Sequence, residues 1–161
     1  MGMHKYFIYR QVQIVNGSGK MLVREIMNRN IVTAKPEITL KEASKVMSEM
    51  HIGCIVIYAN EKILGIITST DILKAVANDR EPNGTYAADV MTKDVKTIEP
   101  DKDIADAVDI MVKHKIKKLP VVNDGKLVGL ITTSDIVTVE PRVIAGISNL
   151  MSLRTPVYSG G

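Results

Sequence analysis

The chain reads Gly65-Ile66-Ile67-Thr68-Ser69-Thr70-Asp71 and, 64 residues later, Gly129-Leu130-Ile131-Thr132-Thr133-Ser134-Asp135. Both segments have the form Gly-apolar-Ile-Thr-x-x-Asp. The apolar residues are typical of a buried strand, and a threonine followed three residues later by an acidic residue is typical of a helix start. The repeated segment therefore predicts, at two places in the chain, a strand that passes directly into a helix.

The similarity extends outward from these segments over residues 23–73 and 87–137, which align without a gap. Twelve of the 51 aligned pairs are identical, whereas composition alone would give roughly three. The identical pairs are Met27/Met91, Thr33/Thr97, Pro36/Pro100, Ala43/Ala107, Met47/Met111, Ile52/Ile116, Lys62/Lys126, Gly65/Gly129, Ile67/Ile131, Thr68/Thr132, Asp71/Asp135 and Ile72/Ile136. We infer an internal duplication.

Each copy predicts the order strand, helix, strand, strand, helix. The first strands, at 31–34 and 95–98, end shortly before a proline, which cannot donate to a ladder. Helices follow at Thr39 and Asp103, each with an acidic residue three positions later, the spacing of a capping box. Apolar residues at helical spacing, including the methionines, are assigned to the core: Ala43, Val46, Met47, Met50, Ala107, Ile110 and Met111.

Continuous apolar runs at 54–58 and 119–122 predict strands that are buried on both faces. Turn residues after each run lead into further strands at 63–68 and 127–132, and the last helices start near Ser69 and Thr133. The predicted fold class is α+β, with two β-α-β-β-α repeats packed by pseudo-twofold symmetry. Such packing leaves equivalent clefts between the repeats.

The chain divides into five predicted segments. Residues 78–84 are rich in Asn, Pro and Gly, so they link a repeat at 21–77 to a repeat at 85–139. Residues 1–20 form an N-terminal extension. Within it, residues 6–15 are rich in aromatic and β-branched residues and predict a strand that serves as an arm. Residues 140–161 contain an amphipathic helix that begins at Pro141, followed by a tail. We expect a homodimer, for which both outer segments offer contacts.

Composition limits the class of protein. Hydrophobic residues make up 45% and charged residues 24%, which is typical of a globular protein. The single cysteine, Cys54, excludes an intrachain disulfide and fits a reducing compartment. No stretch approaches the ~20 apolar residues of a membrane span. A net charge of +3 and few aromatic residues do not favour nucleic acid as a partner. We expect a cytoplasmic protein that makes no membrane contact.

The two strand–helix junctions are the candidate binding sites. Free N–H groups at a helix start suit an anion such as phosphate, and a threonine hydroxyl adds a donor. An aspartate one turn later can accept two hydrogen bonds from a vicinal diol such as ribose. In the alternative interpretation, each Thr-x-x-Asp is a capping box that serves only the helix. The spacing leaves both interpretations open.

The duplicated unit resembles a pair of CBS domains over about residues 22–139. The resemblance rests on the two Gly-x-x-Thr-x-x-Asp segments, on Ile-Lys-Lys-Leu-Pro-Val-Val at 116–122, and on Ile26-Met27 and Val90-Met91 before the first strands. CBS pairs commonly bind AMP, ADP or ATP, and some bind S-adenosylmethionine or NAD, in two clefts between the repeats. The resemblance implies that the aspartate holds ribose and that the threonine three positions earlier holds phosphate.

Carried onto this chain, the resemblance implies two unequal clefts. Cleft 1 would contain Thr68, Thr70, Asp71, Thr97, Lys117, Lys118, Leu119 and Pro120. Cleft 2 would contain Thr33, Gly53, Cys54, Ile55, Thr132, Ser134 and Asp135. We expect cleft 1 to bind phosphate more tightly, because its two lysines are matched in cleft 2 by the uncharged Gly53 and Cys54.

The sequence favours a regulatory module that senses an adenosine-containing ligand and alters a partner protein not encoded in this chain. An adenine nucleotide is the expected ligand, and no catalytic cofactor is expected. One alternative is S-adenosylmethionine or methylthioadenosine, and another is a nucleic-acid-binding regulator that uses the basic run at 113–118. No enzyme is expected, since His4, His51 and His114 are not spaced as metal ligands and no nucleophile–base arrangement can be argued.

Overall fold

The computed structural model describes residues 19–139. The strand predicted at 6–15 and the helix predicted from Pro141 lie outside the described residues. Within them, the elements in chain order are α1 (Val23–Ile26), β1 (Thr33–Ala34), α2 (Leu40–Glu49), β2 (Cys54–Ala59), β3 (Lys62–Thr68), α3 (Ser69–Ala77), α4 (Ala87–Val90), α5 (Ile104–His114), β4 (Lys118–Asn123), β5 (Lys126–Thr132) and α6 (Thr133–Val139).

Each repeat contains an antiparallel hairpin with a two-residue turn, β2–β3 in the first repeat and β4–β5 in the second. All four turn residues have positive φ: 51° at Asn60, 58° at Glu61, 48° at Asp124 and 78° at Gly125. Positive φ at both central residues is the signature of the turn whose twist matches the flanking strands. The predicted hairpins and the helices that start at Ser69 and Thr133 are confirmed.

The first strand of the second repeat differs from the prediction. In the first repeat, β1 lies parallel to β2, and the Val56 N–H donates to the Val32 carbonyl at 3.1 Å. The strand predicted at 95–98 is reduced to a single parallel bridge at Ile98. Pro120 occupies the position equivalent to Val56 and has no N–H to donate, so the ladder cannot extend.

Capping boxes start α2 and α5 as predicted. The Thr39 hydroxyl accepts from the Glu42 N–H at 3.2 Å, and the Glu42 carboxylate accepts from the Thr39 N–H at 2.9 Å. This backbone hydrogen bond is the main cause of a lowered pKa for the Glu42 carboxyl. At α5, the Asp106 carboxylate accepts from the Asp103 N–H at 3.2 Å.

Two hydrophobic clusters form the core, one for each repeat. Met47 and Met111 are 5% and 0% exposed, as predicted for core methionines on α2 and α5. Met50, which the same periodicity assigns to the core, is 54% exposed. The prediction was wrong there because α2 ends at Glu49, so the helical periodicity no longer sets the direction of the next side chain.

The sequence did not predict the short helices α1 and α4. Each of them precedes one repeat in the chain but packs against the other repeat. The Val23 N–H of α1 donates to the Lys102 carbonyl at 2.9 Å, and Asn28 pairs with Leu130 of β5. Met21, Val23 and Met27 are therefore buried in the core cluster of the second repeat.

The second exchange mirrors the first. The Ala87 N–H of α4 donates to the Ile38 carbonyl at 2.8 Å, and Thr92 pairs with Ile66 of β3. Ala87 lies in the core cluster of the first repeat, and Met91 packs against it. Each repeat thus completes the core of the other, which confirms the predicted pseudo-twofold packing. In the part of the chain described, no helix is long and apolar enough to cross a membrane.

Candidate functional site

Cleft 1 is a cavity of about 440 Å³ between the β3–α3 junction and the segment that leads into β4. Five of the eight residues predicted for it line the cavity: Thr68, Thr70, Asp71, Lys117 and Lys118. The other lining residues are Ile66, Ser69, Lys74, Thr92, Lys115 and Ile116. The first repeat supplies the helix start, and the second repeat supplies the facing wall.

Cleft 2 is the pseudosymmetric cavity, of about 560 Å³, at the β5–α6 junction. Five of its seven predicted residues line it: Gly53, Cys54, Thr132, Ser134 and Asp135. The other lining residues are Asn28, Asn30, Ile31, Val32, His51, Ile52, Val56, Lys117, Lys118, Leu130 and Thr133.

Five predicted residues line neither cleft. Ile55 and Leu119 are fully buried because alternate residues of a strand face opposite sides of the sheet, and these two face the core. Thr97 lines a different cavity, beside α5. The last two are Thr33, which is exposed on β1, and Pro120, which is buried on β4.

Both Thr-x-x-Asp segments form complete capping boxes. The Asp71 Oδ2 atom accepts from the Thr68 N–H at 2.8 Å and from the Thr68 hydroxyl at 2.7 Å, and the Asp71 N–H donates back to that hydroxyl at 3.2 Å. Thr132 and Asp135 repeat the pattern at 2.8, 2.8 and 3.2 Å. The threonine hydroxyl gives its only proton to its own aspartate, so it is not the free donor that the sequence interpretation required.

The helix starts retain one free donor and one free acceptor each. The Ser69 N–H donates to the Gly53 carbonyl and the Thr133 N–H to the Lys117 carbonyl, at 3.1 and 3.0 Å. Within residues 19–139, the N–H groups without an acceptor in the first helical turn are those of Thr70 and Ser134. The capping bonds also use only Oδ2, which leaves Oδ1 of each aspartate available. Capping and ligand binding are therefore compatible.

The distribution of lysines differs from the prediction. Lys117 and Lys118 line both clefts, although the sequence assigned them to cleft 1 alone. Lys74 and Lys115 line cleft 1 and were missed. Lys74 lies one helical turn after Asp71, a spacing visible in the sequence. Lys115 ends α5 in the left-handed conformation, with φ of 55°, a conformation that the sequence of a lysine does not indicate.

Cys54 lies in the wall of cleft 2 and is 6% exposed. Burial raises the pKa of its thiol above the ordinary value, and the positive charge of Lys118 opposes this shift. The thiol is therefore protonated at neutral pH and acts as an apolar wall. In the described part of the chain, no group of three His, Cys, Asp or Glu side chains is arranged to hold a metal ion.

The comparisons with known proteins agree with this architecture. Residues 23–78 and 87–141 each match the family model of the CBS domain. An uncharacterised protein of Methanopyrus kandleri is 40% identical over 133 residues, which are 80% of this chain and 67% of that protein. A conserved CBS-domain protein of unknown function from Thermoplasma acidophilum has a TM-score of 0.75 at 26% identity, covering 83% of this chain and 75% of that chain.

A further similar structure is the CBS domain pair of protein MJ0100 in complex with 5-methylthioadenosine and S-adenosyl-L-methionine. It has a TM-score of 0.68 at 32% identity, covering 79% of this chain and 98% of that chain. The family model matches twice, α1 and α4 each complete the core of the opposite repeat, and the repeats form two equivalent clefts. The chain belongs to the CBS-domain family, with two CBS repeats in tandem.

Proposed function

We propose that this protein is a regulatory module that binds an adenosine-containing ligand, with AMP, ADP or ATP preferred, in the clefts between its repeats. One arrangement carries the proposal: in cleft 1, an aspartate with a free carboxylate oxygen shares the cavity with four lysines. A carboxylate beside several cations is complementary to a ribose that carries a phosphate. Cavities of about 440 and 560 Å³ also have the size of small-molecule sites.

Each part of the ligand has a proposed partner in cleft 1. Oδ1 of Asp71 accepts from a ribose hydroxyl, while Oδ2 stays in the capping box. The Thr70 N–H and hydroxyl donate to phosphate at the positive end of α3. The lysines neutralise the phosphate charge, and Ile66 and Ile116 offer apolar surface to the base.

In cleft 2, Asp135 and Ser134 take the roles of Asp71 and Thr70. Ile31, Ile52 and Leu130 offer the apolar surface there. Phosphate affinity is expected to be lower, because the shared Lys117 and Lys118 are the only lysines that line this cleft among the described residues, and His51 stands at the position equivalent to Lys115.

A second candidate ligand is S-adenosylmethionine or methylthioadenosine. It is favoured by the similarity to the CBS pair of MJ0100, which was solved with both compounds. The four lysines of cleft 1 argue against the sulfonium compound in that cleft, because like charges repel. Methylthioadenosine carries no charge and avoids this cost, so the two compounds should differ in affinity.

Thermal melting in the presence of each compound tests the proposal. A ligand that binds only the folded state raises the melting temperature by mass action. We expect AMP, ADP and ATP to raise it more than adenosine, and S-adenosylmethionine to raise it least. If none of these compounds or NAD at millimolar concentration shifts the melting curve, the proposed function is wrong.

The proposal also includes a homodimer in the cytoplasm, a regulated partner protein and binding without catalysis. Cleft 1 has no histidine or cysteine among its described lining residues, and in cleft 2 no hydrogen bond joins the side chains of His51 and Cys54, so neither cleft presents the nucleophile–base pair that covalent catalysis needs. The alternative, a nucleic-acid-binding regulator, predicts that affinity for nucleic acid falls steeply as salt rises. Titration with a labelled oligonucleotide at about 50 and about 200 mM salt would reveal this loss.

A further inference from the structure

One side chain, Lys118, lies between the two clefts. Lys118 lines both cavities. A Cβ placed on Gly53, in the wall of cleft 2, would stand 3.6 Å from the Lys118 Nζ atom. The side chain of Lys118 makes no hydrogen bond or ion pair within the described residues, so its ammonium is available to a ligand. A cation assigned by sequence to cleft 1 therefore also faces cleft 2.

The two clefts depend on this cation to different degrees. Cleft 1 has Lys74 and Lys115 in addition to the shared lysines. Cleft 2 has Lys117 and Lys118 as its only lining lysines among residues 19–139. The pKa of the Cys54 thiol in the cleft 2 wall is influenced by Lys118, so the field of this ammonium extends into cleft 2.

We propose that Lys118 couples the clefts, so that a phosphate-bearing ligand in cleft 1 weakens the binding of a second one in cleft 2. The inference rests on the proposed function. A phosphate in cleft 1 takes up the charge and donors of Lys118, and its own negative charge opposes a second phosphate. Because charges that share one cation interact by a modest Coulomb energy in a solvated cleft, the affinity of cleft 2 should fall about threefold to tenfold. By linkage, occupancy of cleft 2 weakens cleft 1 by the same factor.

An uncharged ligand should not show this coupling. Adenosine can use the aspartates and the apolar walls of both clefts, but it has no phosphate for Lys118 to hold. The coupling is therefore a property of the phosphate and not of the fold. A change of shape transmitted between the repeats would instead couple AMP and adenosine alike.

The experiment is calorimetric titration of AMP and of adenosine into the full chain. The Asp135→Asn variant, in which cleft 2 loses its proposed ribose contact, identifies the binding step that fills cleft 2. The Asp71→Asn variant weakens cleft 1, so that cleft 2 fills while cleft 1 is largely empty. We expect AMP to bind cleft 2 of this variant about threefold to tenfold more tightly than in the wild type, and adenosine to bind equally in both.

Lys118→Gln should reduce the difference for AMP, because the ammonium proposed to serve both clefts is lost, while Lys117 and the repulsion between phosphates remain. Equal AMP affinity of cleft 2 in the wild type and in Asp71→Asn would overturn the coupling, and coupling that is as large in Lys118→Gln as in the wild type would overturn the role of Lys118. If melting curves show that Asp71→Asn does not fold, the ratio of the two stepwise AMP constants in Lys118→Gln decides: it must lie closer to the adenosine ratio than the wild-type ratio does. No binding of AMP, adenosine or methylthioadenosine to the wild type would contradict the proposed function itself.

Discussion

The side chain of Met27 fills the space where Gly129 has no side chain. A Cβ on Gly129 would stand 2.9 Å from the Met27 Cγ atom and closer still to its sulfur. Met91 and Gly65 repeat the contact: a Cβ on Gly65 would stand 2.8 Å from the Met91 Cγ atom. In both pairs, the methionine follows the short helix that leads into one repeat, and the glycine lies in the middle of β3 or β5 of the other. These two contacts explain why methionine and glycine are identical in both copies.

Replacing either glycine with alanine should therefore destabilise the protein. Real Cβ atoms do not approach other atoms so closely, so Gly129→Ala must displace Met27, and we expect a loss of about 1–3 kcal/mol from overpacking. Gly84→Ala is the matched control, because its Cβ would meet nothing nearer than 4.0 Å. Urea denaturation measures both. A Gly129→Ala loss no larger than that of Gly84→Ala would contradict the contact.

The sequence predicted the fold from patterns that are local. Periodicity, turn residues and capping spacings fixed the hairpins, α2, α3, α5 and α6, because each depends on neighbours in the chain. It did not predict α1 and α4, whose four-residue lengths show no periodicity and whose stability comes from packing on the opposite repeat. The missing strand at 95–98 could have been foreseen, since Pro120 stands on the strand that should pair with it.

For the candidate site, the sequence placed the two helix starts correctly but not the long side chains around them. The predicted Thr68, Thr70 and Asp71 lie together because they are adjacent in sequence. Lys118 lies at the start of β4, and its long flexible side chain places the ammonium beside Gly53 in the wall of cleft 2. A sequence pattern does not indicate the direction of such a side chain.

The aspartates should have a measurable double role. Asp71→Ala removes the capping box of α3, at a cost of about 1 kcal/mol. It also removes the proposed ribose contact, so AMP affinity at cleft 1 should fall at least about tenfold. Asp135→Ala should cost similar stability but less of the tight binding. Calorimetry together with melting curves separates the two roles. If an aspartate were purely structural, its replacement would lower the stability of the protein and leave the ligand affinity of the folded protein unchanged.

The lysines of cleft 1 should discriminate by phosphate. The double variant Lys74→Ala with Lys115→Ala leaves the shared lysines in place and removes the two that line cleft 1 alone. We expect AMP binding at cleft 1 to weaken about threefold to tenfold and adenosine binding to change little, because only AMP carries charge. Lys45→Ala is a suitable control, since this lysine is exposed on α2 and lines neither cleft. Equal weakening of AMP and adenosine would show that these lysines do not meet phosphate.

Cys54 should make stability depend on alkaline pH. Burial raises the pKa of its thiol in the folded protein above the ordinary 9.0, so the folded state favours the protonated form. This contribution is fully present below pH 9.0 and is lost as the pH rises through the folded pKa. The Cys54→Ala variant should therefore lose less stability than the wild type between neutral and alkaline pH. Parallel slopes of unfolding free energy against pH in the two proteins would contradict the shift.

Two truncations should distinguish the contribution of residues 1–18 to stability from that of the segment around α1, which packs in the core of the second repeat. Removing residues 1–18 leaves every described member of both core clusters in place, so we expect the urea midpoint to stay close to that of the full chain. Removing residues 1–28 deletes Met21, Val23 and Met27 from the core of the second repeat. Loss of a single large core side chain costs about 2–5 kcal/mol, and a domain has only about 5–15 kcal/mol in total.

We therefore expect the longer truncation to abolish cooperative unfolding of the second repeat, while the shorter one folds. Val23→Ala provides a milder version of the same test, because this residue is 0% exposed and the rest of α1 remains. Sedimentation of the shorter truncation examines the predicted homodimer, which should weaken if the segment at 6–15 contributes to assembly. Native-like unfolding after removal of residues 1–28 would mean that each repeat can complete its own core, contrary to the exchange of α1 and α4 seen here.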